Sequence, residues 1–222
     1  MSGIQAILFD FDGTLANSEQ HHFEVWNRIL VEFGEAPLDE YMYRHGLAGL
    51  PVPEAARNVH ERLSLSVPIE ALIARKIKET GRYFAEHPVA MMPFAKEILS
   101  RCRARGLTLA LVTASSREEL APTFEHHALT PFFDTVVTRD DVAHSKPNPE
   151  SYLLGMERLG VTADASLAVE DTSHGVNAAH AARIPVAAVP NEHSKSGDFS
   201  AATVIINDGL EGVWRWINAQ LL

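Results

Sequence analysis

Two aspartates stand two positions apart in Phe9-Asp10-Phe11-Asp12-Gly13-Thr14-Leu15, directly after the apolar run at residues 4–9. Carboxylates this close repel one another, so burying both calls for a cation. Their hard oxygens point to magnesium. Gly13 permits a tight turn, so that both side chains reach over the end of a strand. The competing reading is an Asp-Gly hairpin turn.

Three further segments carry candidate residues, two of them directly after an apolar run. Val112-Thr113-Ala114-Ser115-Ser116 places hydroxyls where the next helix begins. They suit a phosphate oxygen held with the helix amides, or simply a helix cap at Ser115 or Ser116. In His144-Ser145-Lys146-Pro147-Asn148-Pro149-Glu150 two prolines stiffen the turn that carries Lys146. Pro149 suits the first position of a helix capped by Asn148. An ammonium there can neutralise both a phosphate and Asp10; a solvated turn lysine is the alternative. Finally, Val169-Glu170-Asp171-Thr172-Ser173-His174-Gly175 brings a second pair of acids. They would complete a magnesium site with Asp10, unless Asp171 or Ser173 only caps a helix.

The elements that must position these groups follow from periodicity. Runs at 4–9, 107–112, 166–169 and 185–189 are apolar on both faces, as buried parallel strands are, with weaker candidates at 135–137 and 203–206. Helical patterns occupy 94–105, 117–128, 150–159 and 175–182. Alternation of strand and helix predicts an α/β fold, a Rossmann-like open parallel sheet with right-handed crossovers and ligands at the carboxyl ends of the strands. Residues 19–33, 38–45, 53–63 and 69–86 read as helices with no strand among them. We therefore expect a core of residues 1–16 and 89–222 and a helical insert at 17–88, with hinges near 16–18 and 88–93.

The 222 residues suffice for such a core plus an insert, and 46% of them are hydrophobic. With 19 basic and 29 acidic residues the net charge is −10, which argues against a phosphate-tracking nucleic-acid binder but leaves room for a local cationic pocket. The single cysteine, Cys102, excludes an internal disulfide and fits a reducing cytoplasm. No leader-like N-terminal pattern and no membrane-length apolar segment is present, so a soluble cytoplasmic protein is expected. The helix face at 214–217 fits core or an interface between copies, and a monomer or weak homodimer is expected.

Taken in order, Asp10-Phe-Asp12-Gly-Thr, Thr113, Lys146-Pro-Asn-Pro-Glu and Glu170-Asp171 resemble the motifs of the haloacid dehalogenase superfamily. The resemblance is greatest to its sugar-phosphate phosphatases and β-phosphoglucomutase-like proteins, and it spans essentially the whole chain. It implies that Asp10 is the nucleophile, forming an aspartyl-phosphate. Asp12 would protonate the leaving oxygen and then activate water, while its backbone carbonyl binds magnesium. Thr113 and the amide of Ala114 would hold the phosphoryl group, and Lys146 would stabilise charge on it and on Asp10. Asp171 would bind Mg2+ directly and Glu170 through water, and the insert would be a mobile cap. One departure is Arg183, which stands where the family often has a helix-terminating glycine.

Within the insert, His22 resembles the histidine that positions the acid/base aspartate in the mutase-like subgroup. The segment Gly46-Leu-Ala-Gly49-Leu-Pro-Val resembles the specificity loop, with Gly49 facing substrate, and Lys76 aligns with a substrate-facing lysine. The mutase has a phosphate-gripping arginine near the position of Val52; the next arginine here is Arg57, which favours hydrolysis over a bisphosphate intermediate. Arg75 and Lys78 read as a solvated helix face. The expected activity is hydrolysis of a small phosphorylated metabolite, a sugar or sugar-alcohol phosphate. A phosphosugar mutase is the alternative, ahead of a phosphonate hydrolase using Lys76 or Lys78 and of a non-catalytic binding protein.

Overall fold

A computed structural model of the chain describes residues 3–221; the expected core limits at residues 1, 2 and 222 lie outside them. The first strand, β1 (Ala6–Phe9), is buried along its whole length. It sits at the centre of a six-stranded sheet between β2 (Thr108–Val112) and β4 (Ser166–Glu170). Beyond β2 lies β3 (Thr135–Val137), and beyond β4 lie β5 (Val186–Ala188) and β6 (Val204–Ile205). Every pairing is parallel, and Leu8 stands between Ala110 and Ala168. This is the Rossmann-like α/β sheet expected from runs that are apolar on both faces.

Alternate strand residues divide the core into two layers, as the period of two requires. Ile7, Phe9, Leu109, Leu111, Leu167 and Val169 pack against α5 (Ala95–Ala104) and α9 (Gly209–Gln220). Ala6, Leu8, Ala110, Val112 and Ala168 pack against α7 (Glu150–Leu159) and α8 (Ser173–Ala181). The segment at 214–217 belongs to the core: Ile217 is buried in the first layer, and Trp214 and Trp216 pack against it.

Between β1 and α5 the chain forms four helices: α1 (Glu19–Glu32), α2 (Glu40–Gly46), α3 (Val52–Leu63) and α4 (Ile69–Glu86). Trp26, Ile29, Leu30, Tyr43, Ala56, Val59 and Leu72 give them a hydrophobic cluster separate from the two layers of the sheet. The segments that enter and leave this insert run side by side. Asn17 N donates to the Ala90 carbonyl at 2.8 Å and Met92 N to the Leu15 carbonyl at 2.8 Å.

Three local details differ from expectation. β4 runs one residue further, so Glu170 is a strand residue pinned by Val189 N at 2.7 Å and not part of the following loop. Thr172 caps α8, its hydroxyl accepting from Gly175 N, which leaves Asp171 free of that duty. Pro149 is itself the N-cap of α7, one position earlier than expected, while Asn148 Oδ1 accepts from Glu150 N at 3.0 Å. Arg183 takes the left-handed φ of 64° that a glycine usually supplies after a helix. No described helix is long and apolar enough to cross a membrane.

Candidate active site

The four motif segments meet at the carboxyl edge of the sheet. Lys146 Nζ is buried there and donates to Asp10 Oδ1 at 2.7 Å, to Glu170 Oε1 at 2.5 Å and to the Val112 carbonyl at 2.8 Å. All three donors of the ammonium are thereby used. Asp171 joins Asp10 and Glu170, and one carboxylate oxygen from each lies within 4.8 Å of the others. Thr14 Oγ1 donates to Asp171 Oδ1 at 3.3 Å, and Asn191 Nδ2 donates to its Oδ2 at 2.8 Å and to the Gly13 carbonyl at 3.1 Å.

Two glycines make room for this cluster. A Cβ on Gly13, whose φ is +83°, would lie 2.3 Å from Asp171 Oδ2. A Cβ on Gly175 would lie 2.0 Å from Glu170 Oε2. The Asp12-Gly13 pair therefore forms a tight loop beneath a carboxylate, and the hairpin reading falls.

Electrostatics mark the cluster as short of positive charge. Burial raises the Asp10 carboxyl to about 7; repulsion from Glu170 adds to this and Lys146 opposes it. Asp171 is held well above the usual carboxylate range by burial, then by Asp10 and Glu170. Burial disfavours the Lys146 ammonium, yet Asp10 and Glu170 outweigh it and hold the group protonated. Three buried carboxylates face a single ammonium, and Glu170 Oε2 is buried without a hydrogen-bond partner. Such a hard-oxygen set with an orphaned acceptor fits a divalent cation of the magnesium type.

Asp12 points elsewhere. Its Oδ2 accepts from Ser115 Oγ at 2.6 Å and from Thr113 Oγ1 at 3.3 Å, and its Oδ1 lies 4.0 Å from His22 Nε2. The two aspartates of the motif thus occupy different environments, one among acids and lysine, the other among hydroxyls. Ser116 caps α6 (Arg117–His127) in a capping box with Glu119, so of the two serines only Ser115 is left to hold Asp12. Thr113 Oγ1 also accepts from Ser115 N at 3.0 Å, fixing the turn.

A cavity of about 110 Å³ opens beside Asp10, Asp12, Ala114 and Lys146. The insert contributes His22, Gly49, Val52 and Lys76 to its wall, so the three insert residues expected to face substrate line the cavity, whereas Arg57 and Lys78 do not. Lys76 is buried and donates to His22 Nδ1 at 3.1 Å and to Thr80 Oγ1 at 2.8 Å. Burial lowers its amine to about 8. Burial and then Lys76 lower His22 to about 3, which leaves a neutral ring with its proton on Nε2, facing Asp12. Arg75 lies on the outer face, paired with Glu32 at 2.6 Å and Glu79 at 2.9 Å.

Several lining residues were not foreseen. Glu19 and Tyr43 meet across the insert, Tyr43 OH donating to Glu19 Oε2 at 2.6 Å. Arg139, paired with buried Glu119 at 3.1 Å, lines the cavity from the core side. His174 lines it as well and lies 3.7 Å from Glu54 on α3, a contact between core and insert. Asn191, which holds Asp171, was also not foreseen, although it carries a readable signal as a polar residue two positions past the apolar run at 185–189.

An aspartate pair, a clamped lysine and a second acidic pair at the edge of a parallel sheet define a known class of hydrolase. The chain belongs to the haloacid dehalogenase-like hydrolases, whose family model matches residues 7–189. It falls in the branch that holds sugar-phosphate phosphatases and β-phosphoglucomutase-like proteins, and it is a phosphoric monoester hydrolase. It is 35% identical over 217 residues to protein CbbY of Rhodobacter capsulatus, covering 92% of this chain and 93% of that one. It is 32% identical over 181 residues to a phosphorylated carbohydrates phosphatase of Thermotoga maritima, covering 82% of each. Among solved structures, a CbbY mutant from Rhodobacter sphaeroides in complex with xylulose-(1,5)bisphosphate matches with a TM-score of 0.80 at 26% identity, over 94% of this chain and 98% of that one.

Proposed function

We propose that the chain is a magnesium-dependent phosphatase that hydrolyses a small phosphorylated sugar or sugar alcohol through an aspartyl-phosphate on Asp10. The observation that carries this reading is Lys146 bridging Asp10 and Glu170 beside Asp171, with Asp12 held apart by Ser115.

Asp10 attacks phosphorus while the ester oxygen leaves. Asp12, free of the acidic cluster, gives that oxygen its proton and then takes one from the water that cleaves the acyl-phosphate. The Ala114 amide and Thr113 hold phosphoryl oxygens, and Lys146 balances charge on Asp10 and on the phosphoryl group. Asp10, Glu170, Asp171 and the Asp12 carbonyl would hold Mg2+, which when bound offsets the charge of the carboxylates and the phosphate. Neutral His22, braced by Lys76, steadies Asp12. Residues 17–88 act as the cap on a core of 1–16 and 89–222, and its closure excludes water from the first half-reaction.

A second reading, a substrate with a second phosphate, is favoured by Arg139. The arginine missing near Val52 counts against a bisphosphate only from the insert side. Arg139 supplies a guanidinium from the core side, where its five donors can serve both Glu119 and an anion.

The test is phosphate release from a panel of sugar mono- and bisphosphates, with and without Mg2+. Magnesium-dependent release from a few members is expected. No release from any, with isomerisation of a sugar 1-phosphate, would replace the phosphatase by a mutase.

A further inference from the structure

We infer that Tyr152 is a positioning residue that locks Glu170 with one oxygen turned toward the cation; the inference rests on the magnesium site proposed above. Tyr152 is among the largest side chains that are buried completely, and Glu170 at the end of β4 is likewise 0% exposed. The phenol donates to Glu170 Oε1 at 2.6 Å, the same oxygen that Lys146 holds at 2.5 Å. The ring also lies beneath the lysine, with Nζ 5.2 Å from its centroid. One oxygen of Glu170 therefore has two donors, and the other, Oε2, has none.

That asymmetry is informative. A glutamate side chain has three rotors, and a single donor on one oxygen leaves it able to swing or to turn the other oxygen inward. Two donors converging on Oε1 from different elements, the Lys146 loop and α7, fix the plane of the carboxylate. Gly175 closes the remaining side, since its missing side chain is what lets Glu170 lie there. With Oε1 saturated, Oε2 is the oxygen left for a metal or a metal-bound water. Partners behind a ligand commonly tune metal affinity ten- to a hundredfold.

The test compares wild type with Tyr152→Phe, which keeps the ring and its packing and removes only the hydroxyl. Two Mg2+ titrations are read: the rise in melting temperature without substrate, and phosphatase activity on the best substrate. The expected result is that both midpoints move to about tenfold higher Mg2+. The rate at saturating Mg2+ stays within about twofold of wild type. Unchanged midpoints overturn the inference, and so does a fall in saturated rate with unmoved midpoints, which would make Tyr152 a packing residue only. A wild type whose melting and activity both ignore Mg2+ overturns the magnesium reading itself.

Discussion

The ammonium of Lys76 lies 3.1 Å from Nδ1 of His22, a partly buried contact between two helices of the insert, and His22 Nε2 in turn faces Asp12 Oδ1 at 4.0 Å. Burial holds the Lys76 amine at about 8, below its ordinary 10.5. Between those values the unfolded chain binds more protons than the native one, so native stability rises with pH. Lys76→Met lacks that rise. Urea unfolding of the two proteins should show the difference moving in favour of wild type by about 2 kcal/mol between pH 7 and pH 9.5. A constant difference would mean that the amine is not depressed.

Asp10→Asn removes the attacking oxygen and also one of three crowded negative charges. Turnover should fall at least about a thousandfold, since an amide cannot form the acyl-phosphate. The metal-free protein should melt no lower than wild type, because a buried carboxylate raised to about 7 is no stabilising asset there. Near-normal turnover would reject Asp10 as nucleophile.

Gly175→Ala tests the packing of the acidic cluster. Its Cβ would fall 2.0 Å from Glu170 Oε2, so the carboxylate must leave its place. A loss of about 1–3 kcal/mol in stability is expected from the overpacking, together with loss of the Mg2+-induced rise in melting temperature. A variant that retains the full Mg2+ response would show that Glu170 does not serve the cation.

Arg139→Ala separates the two substrate readings. If a second phosphate meets this guanidinium, KM for a bisphosphate should rise about tenfold or more while KM for a monophosphate changes little. Equal effects on both would confine Arg139 to its pairing with Glu119.

Much of the candidate site's placement was readable because each of Asp10, Thr113 and Asp171 follows a run apolar on both faces, and parallel strands bring such ends to one edge. Lys146 was readable from its rigid loop. Ser115 and Ser116 show the limit: sequence offered either as a cap, and only the capping box with Glu119 assigns Ser116 to the helix and Ser115 to Asp12. Glu19, Tyr43, Arg139 and Tyr152 carried no local signal. Each sits in an ordinary helical or turn context, and its role arises from what another element places against it.

The position of β1 also bears on how the protein is made. Among the six strands of the sheet Ala6–Phe9 is the earliest in chain order, yet it ends in the middle, where Leu8 pairs with Ala110 on one side and Ala168 on the other. Both partners are synthesised long after it, and the second only after the whole insert and half of the core. Until then the nascent chain carries an apolar strand with two open edges, the kind of segment that chaperones cover. The insert emerges before either partner strand and has its own hydrophobic cluster, so it can bury apolar surface while the acids at the sheet edge are still unassembled.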